Sequence, residues 1–151
     1  MAGYKFIEGL TVADIAFEAT GRNLNELFEN SALALFEVNV DIRSVKPLME
    51  VEVKAVGDNL ENLLFNFLDE LIFVKDRDGM VFCGCKAEVN ANAASAASAG
   101  GGDFKVTAML KGDKINYRTQ KLRVDAKAVT MHMFEVKKEG NIYKARVVVD
   151  I

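Results

Sequence analysis

Four groups in this chain have the type and position for cation chemistry: Asp14, Asp41, Asp150 and the carboxylate of Ile151. They stand at the ends of apolar or alternating runs. Asp14 opens Asp14-Ile15-Ala16-Phe17-Glu18-Ala19-Thr20, and Asp150 with Ile151 closes the run that begins at Tyr143. Hard oxygens at a strand tip suit Ca2+ or Mg2+. Strands from opposite ends of a chain meet only by pairing, so convergence of these carboxylates is an expectation about tertiary structure. The plainer reading gives each Asp a turn or capping role, and for any one Asp alone that reading is the commoner. Lys127, at the head of Lys127-Ala128-Val129-Thr130, is the second candidate. Its amine would meet a carboxylate cluster or a phosphate, or would only deter edge pairing.

Other chemistries have less support. Dinucleotide, phosphate-loop and nucleophile-elbow glycine patterns are absent, and Gly100-Gly101-Gly102 runs into Asp103 rather than a helix start. A Ser/His/Asp set would have to use His132, the only histidine, which sits in an apolar strand where a satisfied structural imidazole is the commoner outcome. Cys83 and Cys85 are one residue apart, too close for the C-x-x-C redox spacing, and no second pair exists to complete a zinc site. Alternation puts both sulfurs on one strand face as small buried or half-buried thiols. With no evident nucleophile or general base, the chain does not read as an enzyme.

The elements that must position these residues follow from periodicity. Half of the 151 residues are apolar, 27% are charged and the net charge is −3. This is one globular domain, without the basic balance of a strong nucleic-acid binder. No membrane span or secretory leader is apparent, which points to the cytoplasm. Short strands are expected over 4–8 and 13–20. A helix over 24–38 follows from Leu24, Leu27, Phe28, Ser31, Ala32, Leu35 and Phe36, with Asn23 as its cap and Glu26 completing a capping box. A polar loop with the only proline then leads to a strand over 48–56 with one dry face. Asp58 or Asn59 caps a second helix striped by Leu60, Leu63, Leu64, Phe67, Leu68, Leu71 and Ile72. Asp76-Arg77-Asp78-Gly79 reads as a turn, followed by strands over 80–89 and 104–110. The alanine, serine and glycine residues of 90–102 read as a flexible surface loop within the domain. A final hairpin has its loop at 137–141. The expected fold is α+β: a mixed or antiparallel sheet sandwich in a single domain, 1–151. The two amphipathic helices cover one sheet face and the final hairpin is near the centre. No internal repeat is evident, although strand–helix–strand occurs twice.

The chain resembles the archease family in four segments, in the right order. These are Ala13-Asp14-Ile15; Leu24 to Phe36 with Val40-Asp41; Asn59 to Leu71; and Lys127-Ala128-Val129-Thr130 with Val149-Asp150-Ile151. It departs at Thr11 and Val12, where the family has His-Thr, and at 118–123, where the family has a His-Pro loop. The resemblance implies a cofactor protein that assists the GTP-dependent tRNA-splicing RNA ligase, promoting its guanylylation and repeated turnover. It implies a divalent cation, Ca or Mg, held by Asp14, Asp150 and Ile151, with Asp41 as a lesser candidate, and a functional role for Lys127. The ligase is the expected partner, by transient contact; strong direct nucleic-acid binding and membrane association are not expected. The alternative is a chaperone-like modulator of RNA-processing enzymes without metal chemistry.

Overall fold

A computed structural model describes residues 3–7, 13–91 and 104–151. Most of the alanine-, serine- and glycine-rich loop lies outside the described residues, as do Thr11, Val12 and the end of the first expected strand. The element order is β1 (Tyr4–Ile7), β2 (Asp14–Gly21), α1 (Leu24–Asn39), a 3-10 turn (Ile42–Ser44), β3 (Met49–Gly57), α2 (Leu60–Asp78), β4 (Met80–Asn90), β5 (Phe104–Lys114), β6 (Ala128–Glu139) and β7 (Ile142–Asp150). These form two antiparallel sheets, ordered β1-β2-β7-β6 and β3-β5-β4. The α+β sandwich with two amphipathic helices is therefore as expected. Among the described residues, no helix is long and apolar enough to cross a membrane.

The helices do not merely cover one face of a sheet. Helix α1 packs on β2 and β4, and α2 on β3 and β6, so the helix pair lies between the two sheets. This follows from the width of the apolar stripes. In α1 the buried positions include Ala34 and Val38 besides the expected stripe, leaving little to face water. One core results, with Phe28 against Phe67 between the helices (ring centroids 5.5 Å) and Phe36 against Phe82 of β4 (5.3 Å). Of the final hairpin, β7 is interior and β6 is an edge.

The structure exposes a local repeat, offset by one strand–helix unit. Gly21-Arg22-Asn23-Leu24 and Gly57-Asp58-Asn59-Leu60 make the same joint. Asn23 Oδ1 accepts from the Glu26 N–H and Asn59 Oδ1 from the Asn62 N–H, both at 2.8 Å. Asn30 Nδ2 donates to Thr20 O at 2.7 Å, and Asn66 Nδ2 to Val56 O at 2.9 Å. Glycine is needed because the helix backbone crosses it closely. A Cβ on Gly21 would stand 2.3 Å from Leu27 N, and one on Gly57 2.5 Å from Leu63 N. Glu26 does not close a capping box on Asn23; its carboxylate accepts from the Arg22 N–H and pairs with the Arg22 guanidinium.

Several boundaries move. Asp76-Arg77-Asp78 is the last turn of α2, and only Gly79, at φ 61°, turns the chain as its left-handed cap. Strand β5 continues through Lys111-Gly112-Asp113-Lys114, since pairing with β4 supplies partners that composition does not reveal. The closing loop is two residues, Gly140-Asn141, because β6 pairs with β7 out to Glu139 and Ile142. A register shift around Cys83 breaks the alternation of β4. Cys83 then packs with Val40, Val45 and Val81, and Cys85 against the main core, so the two sulfurs do not share a face. Burial pushes both thiols up, Cys85 to about 12, which disfavours the reactive thiolate.

Candidate metal centre

The strand that opens with Asp14 and the strand that closes with Asp150 meet. Strands β2 and β7 pair antiparallel with Asp14 opposite Asp150. Ile15, Phe17, Val147 and Val149 belong to the core, so alternation turns Asp14 and Asp150 together onto the outer face. One position further, the Ile151 N–H donates to Ala13 O at 3.0 Å. That bond makes Asp14 and Asp150 a non-hydrogen-bonded pair, the kind in which facing Cα atoms are about 4.5 Å apart and side chains are nearest. Like charges directly opposite one another destabilise a sheet.

Lys127 joins them from the other side of β7. Ala128 is the register partner of Asp150, and the Lys127 N–H donates to Asp150 O at 2.8 Å. The lysine side chain is exposed. Three separated segments, 13–15, 127–128 and 149–151, are thus brought to one rim of the four-stranded sheet.

Asp41 is placed differently. It caps the 3-10 turn, and its carboxylate accepts from the Arg43 N–H at 3.0 Å and from Arg43 Nε and Nη2 at 3.1 Å each. Those hydrogen bonds hold its carboxyl down at about 2. Its oxygens are engaged in a local turn, and the structure gives it no register contact with Asp14 or Asp150. Among the described residues no three His, Cys, Asp or Glu side chains cluster. A cation at the Asp14–Asp150 rim would therefore meet two side-chain carboxylates and water. That donor set fits Ca2+ or Mg2+, which take oxygen ligands and readily keep water, and does not fit zinc.

His132 is not a satisfied core imidazole. Between Thr130 and Glu135 the β6 register slips by several residues, and Met131-His132-Met133 bulges outward, with His132 exposed and Met133 at φ 57°. Arg146 Nε donates to Met133 O at 3.0 Å and pins the bulge. Lys75 was not singled out from sequence. It is buried on α2, and its amine donates to Asp76 at 2.7 Å and Asp125 at 2.5 Å. Burial alone would lower its pKa; the two carboxylates outweigh that and hold it above the ordinary lysine value. The available signal was its spacing, one turn beyond Leu71 and Ile72 on the apolar stripe.

Comparison with known proteins agrees with this architecture. The model of the Archease protein family (MTH1598/TM1083) matches residues 4–151. The protein archease of Archaeoglobus fulgidus is 36% identical over 148 residues, covering 98% of each chain. That of Methanothermobacter thermautotrophicus is 35% identical over 151 residues, covering 100% of each. Among solved structures, the solution structure of Methanobacterium thermoautotrophicum protein 1598 superposes with a TM-score of 0.78 at 34% identity, covering 100% of each chain. A Thermotoga maritima crystal structure described as an archease, possible chaperone, shares the fold with a TM-score of 0.60 at 20% identity, covering 96% of this chain and 97% of that one. On this full-length match, the chain belongs to the archease family.

Proposed function

We propose that this protein is a non-catalytic activator of the GTP-dependent tRNA-splicing RNA ligase, promoting ligase guanylylation and multiple turnover in the cytoplasm. A divalent cation, held by Asp14, Asp150 and the Ile151 carboxylate, is part of the active form. The observation that carries the reading is the β2–β7 register, which sets Asp14 against Asp150, with Lys127, the residue before β6, adjoining. The cation supplies charge stabilisation for phosphate oxygens. The chain itself orients the two carboxylates on a rigid sheet rim, and the exposed Lys127 amine adds a charge-assisted donor for a phosphate. Family membership supports the partner assignment.

The test is a turnover assay with the cognate ligase, GTP and a broken RNA substrate. Wild-type protein raises the rate beyond a single turnover; Asp150→Ala, folded by circular dichroism, gives no gain. No gain from wild type refutes the reading. A chaperone-like modulator without metal chemistry is the second reading. It is favoured if titration calorimetry with Ca2+ and Mg2+ gives no binding heat while the activation persists in Asp14→Ala.

A further inference from the structure

The charge of this chain is unevenly spread. Lys114-Ile115-Asn116-Tyr117-Arg118-Thr119-Gln120-Lys121-Leu122-Arg123 carries four cations and no acid. With a net charge of −3 overall, the rest of the chain is at −7, from −3 − (+4). The 3-10 turn brings Arg43 beside it, since Asp41 N–H donates to Lys121 O and Lys121 N–H to Ser44 Oγ, both at 2.9 Å; Lys46 follows Val45, which belongs to the small cluster that Leu122 packs against. Arg43 is paired with Asp41 and Arg123 with Glu37. Among the described residues, Arg118, Lys121 and Lys46 have no carboxylate within ion-pairing distance.

The segment is held still. Gln120 is buried, and its side chain works in both directions: Nε2 donates to Lys114 O at 3.0 Å, and Oε1 accepts from the Asn116 N–H at 2.8 Å. Asn116 Oδ1 accepts from the N–H groups of Arg118 (2.9 Å) and Thr119 (3.3 Å). Ile115 N–H reaches Gly79 O at 3.0 Å, and Arg123 N–H reaches Asn39 O at 2.8 Å. On this pinned loop Tyr117 is 81% exposed. The backbone that presents Tyr117 is thus already ordered, so binding would remove little backbone freedom there.

Beneath Tyr117 lies an open cleft of roughly 420 Å3. Ile115, Leu122 and Val124 give it apolar sides, and the Lys75 amine and Asp125 carboxylate lie at its polar end. Two of the three ammonium protons of Lys75 go to Asp76 and Asp125, which leaves one donor beside exposed acceptors. A flat heterocycle with carbonyl and N–H edges matches that lining. Cations for a phosphate chain, an aromatic face for stacking and an edge-reading cleft are the parts of a site for unpaired bases.

We propose that the 114–124 loop is a binding site for single-stranded nucleic acid. One base stacks on Tyr117 over the cleft, and Arg118, Lys121 and Lys46 take the flanking phosphates. The site shares no residue with the Asp14–Asp150 rim and does not depend on its function. It is compatible with an acidic net charge because the attraction is local, and it predicts modest, salt-sensitive affinity. An acidic protein surface would also meet the cations, but would gain little from a stacking face.

The test is fluorescence anisotropy of a labelled 12-nucleotide single-stranded RNA of mixed sequence. Wild type is expected to bind with a Kd on the order of 1–100 μM at 50 mM salt. Three phosphate contacts to a single strand give a log–log salt slope of about −2, so 200 mM salt weakens binding roughly 15-fold. Tyr117→Ala, at an exposed position that cannot disturb folding, weakens binding roughly 5- to 100-fold. Arg118→Glu with Lys121→Glu abolishes binding. Lys5→Glu with Lys137→Glu, the same charge change on the other sheet, leaves Kd within about threefold. The duplex of the same sequence binds more weakly. No binding at 50 mM salt overturns the proposal. So does binding that is indifferent to Tyr117→Ala and displaced equally by polyglutamate, which would mark an acidic protein as the partner.

Discussion

Substituting Asp150 by asparagine separates the two halves of the metal proposal, charge repulsion and cation binding. The side chain keeps its shape and β7 keeps its backbone bonds to Lys127 and Ala13. Only the charge facing Asp14 is lost. In a non-hydrogen-bonded pair the facing Cβ atoms lie roughly 5 Å apart, and that spacing serves for the charges they carry. Unit charges at that distance repel by about 0.8 kcal/mol at a dielectric of 80, and about 3 kcal/mol at an effective value of 20. Both residues are half-buried, so relief of about 1–2 kcal/mol is expected. At about 2–4 °C per kcal/mol for a domain this size, Asp150→Asn should melt about 2–8 °C above wild type in chelator. Calcium reverses the order. At a hundredfold excess over Kd the wild type gains about 2.7 kcal/mol, and the variant, with one carboxylate removed, gains little. The assay is thermal unfolding by circular dichroism, with EDTA and then with millimolar Ca2+ or Mg2+. If Asp150→Asn melts below wild type in EDTA and rises with calcium as far as wild type does, the facing carboxylates are neither repelling nor holding a cation.

Three further outcomes follow from the fold. Gly21→Ala and Gly57→Ala should each cost about 1–3 kcal/mol, since the added Cβ meets helix backbone at 2.3 and 2.5 Å; Gly84→Ala, whose Cβ meets only Lys111 Cβ at 3.6 Å, should be near neutral in urea unfolding. Equal stability of the three variants would refute the close-crossing argument. Asp41 has its carboxyl held at about 2 in the folded chain by Arg43, below an ordinary value near 4. Its stabilisation is therefore complete above about pH 4 and fades as the pH falls toward 2, so the melting difference between wild type and Asp41→Asn should shrink over that interval. A constant difference from pH 7 to 2 would show that Arg43 does not act through the carboxylate charge. Lys127→Ala should leave melting unchanged, because its side chain is exposed, while reducing ligase turnover; turnover equal to wild type would remove Lys127 from the functional rim.

Much of the architecture was legible along the chain because it is locally encoded. The helix stripes, the Asn23 and Asn59 caps and the alternation of β2 and β3 depend on neighbours within a few residues. The misreadings were places where a partner strand overrode local composition. Lys111 to Lys114 looks polar but pairs with β4, and Lys137 to Glu139 looks like loop but pairs with β7. His132 sits in an apolar run, which suggests a satisfied buried imidazole, but the β6 bulge leaves it exposed. The strand–helix repeat was missed because glycine and asparagine make the match, and its meaning, a helix crossing closer than a Cβ allows, is visible only in three dimensions.

By itself the sequence determined the order of the helices and the main strands, that the apolar stripes demand burial, and that carboxylates stand at the ends of β2 and β7. Tertiary structure alone decided that Asp14 faces Asp150 rather than a neighbouring residue, that Lys127 adjoins them, and that Asp41 does not. The physical reason is register. Side chains alternate with a period of two, so a slip of one residue sends Asp14 to the opposite sheet face, and no local interaction specifies the pairing of strands from opposite ends of a chain. Here the core does so: Ile15 and Phe17 must be buried together with Val147 and Val149, and the two acids are carried to the rim as a consequence.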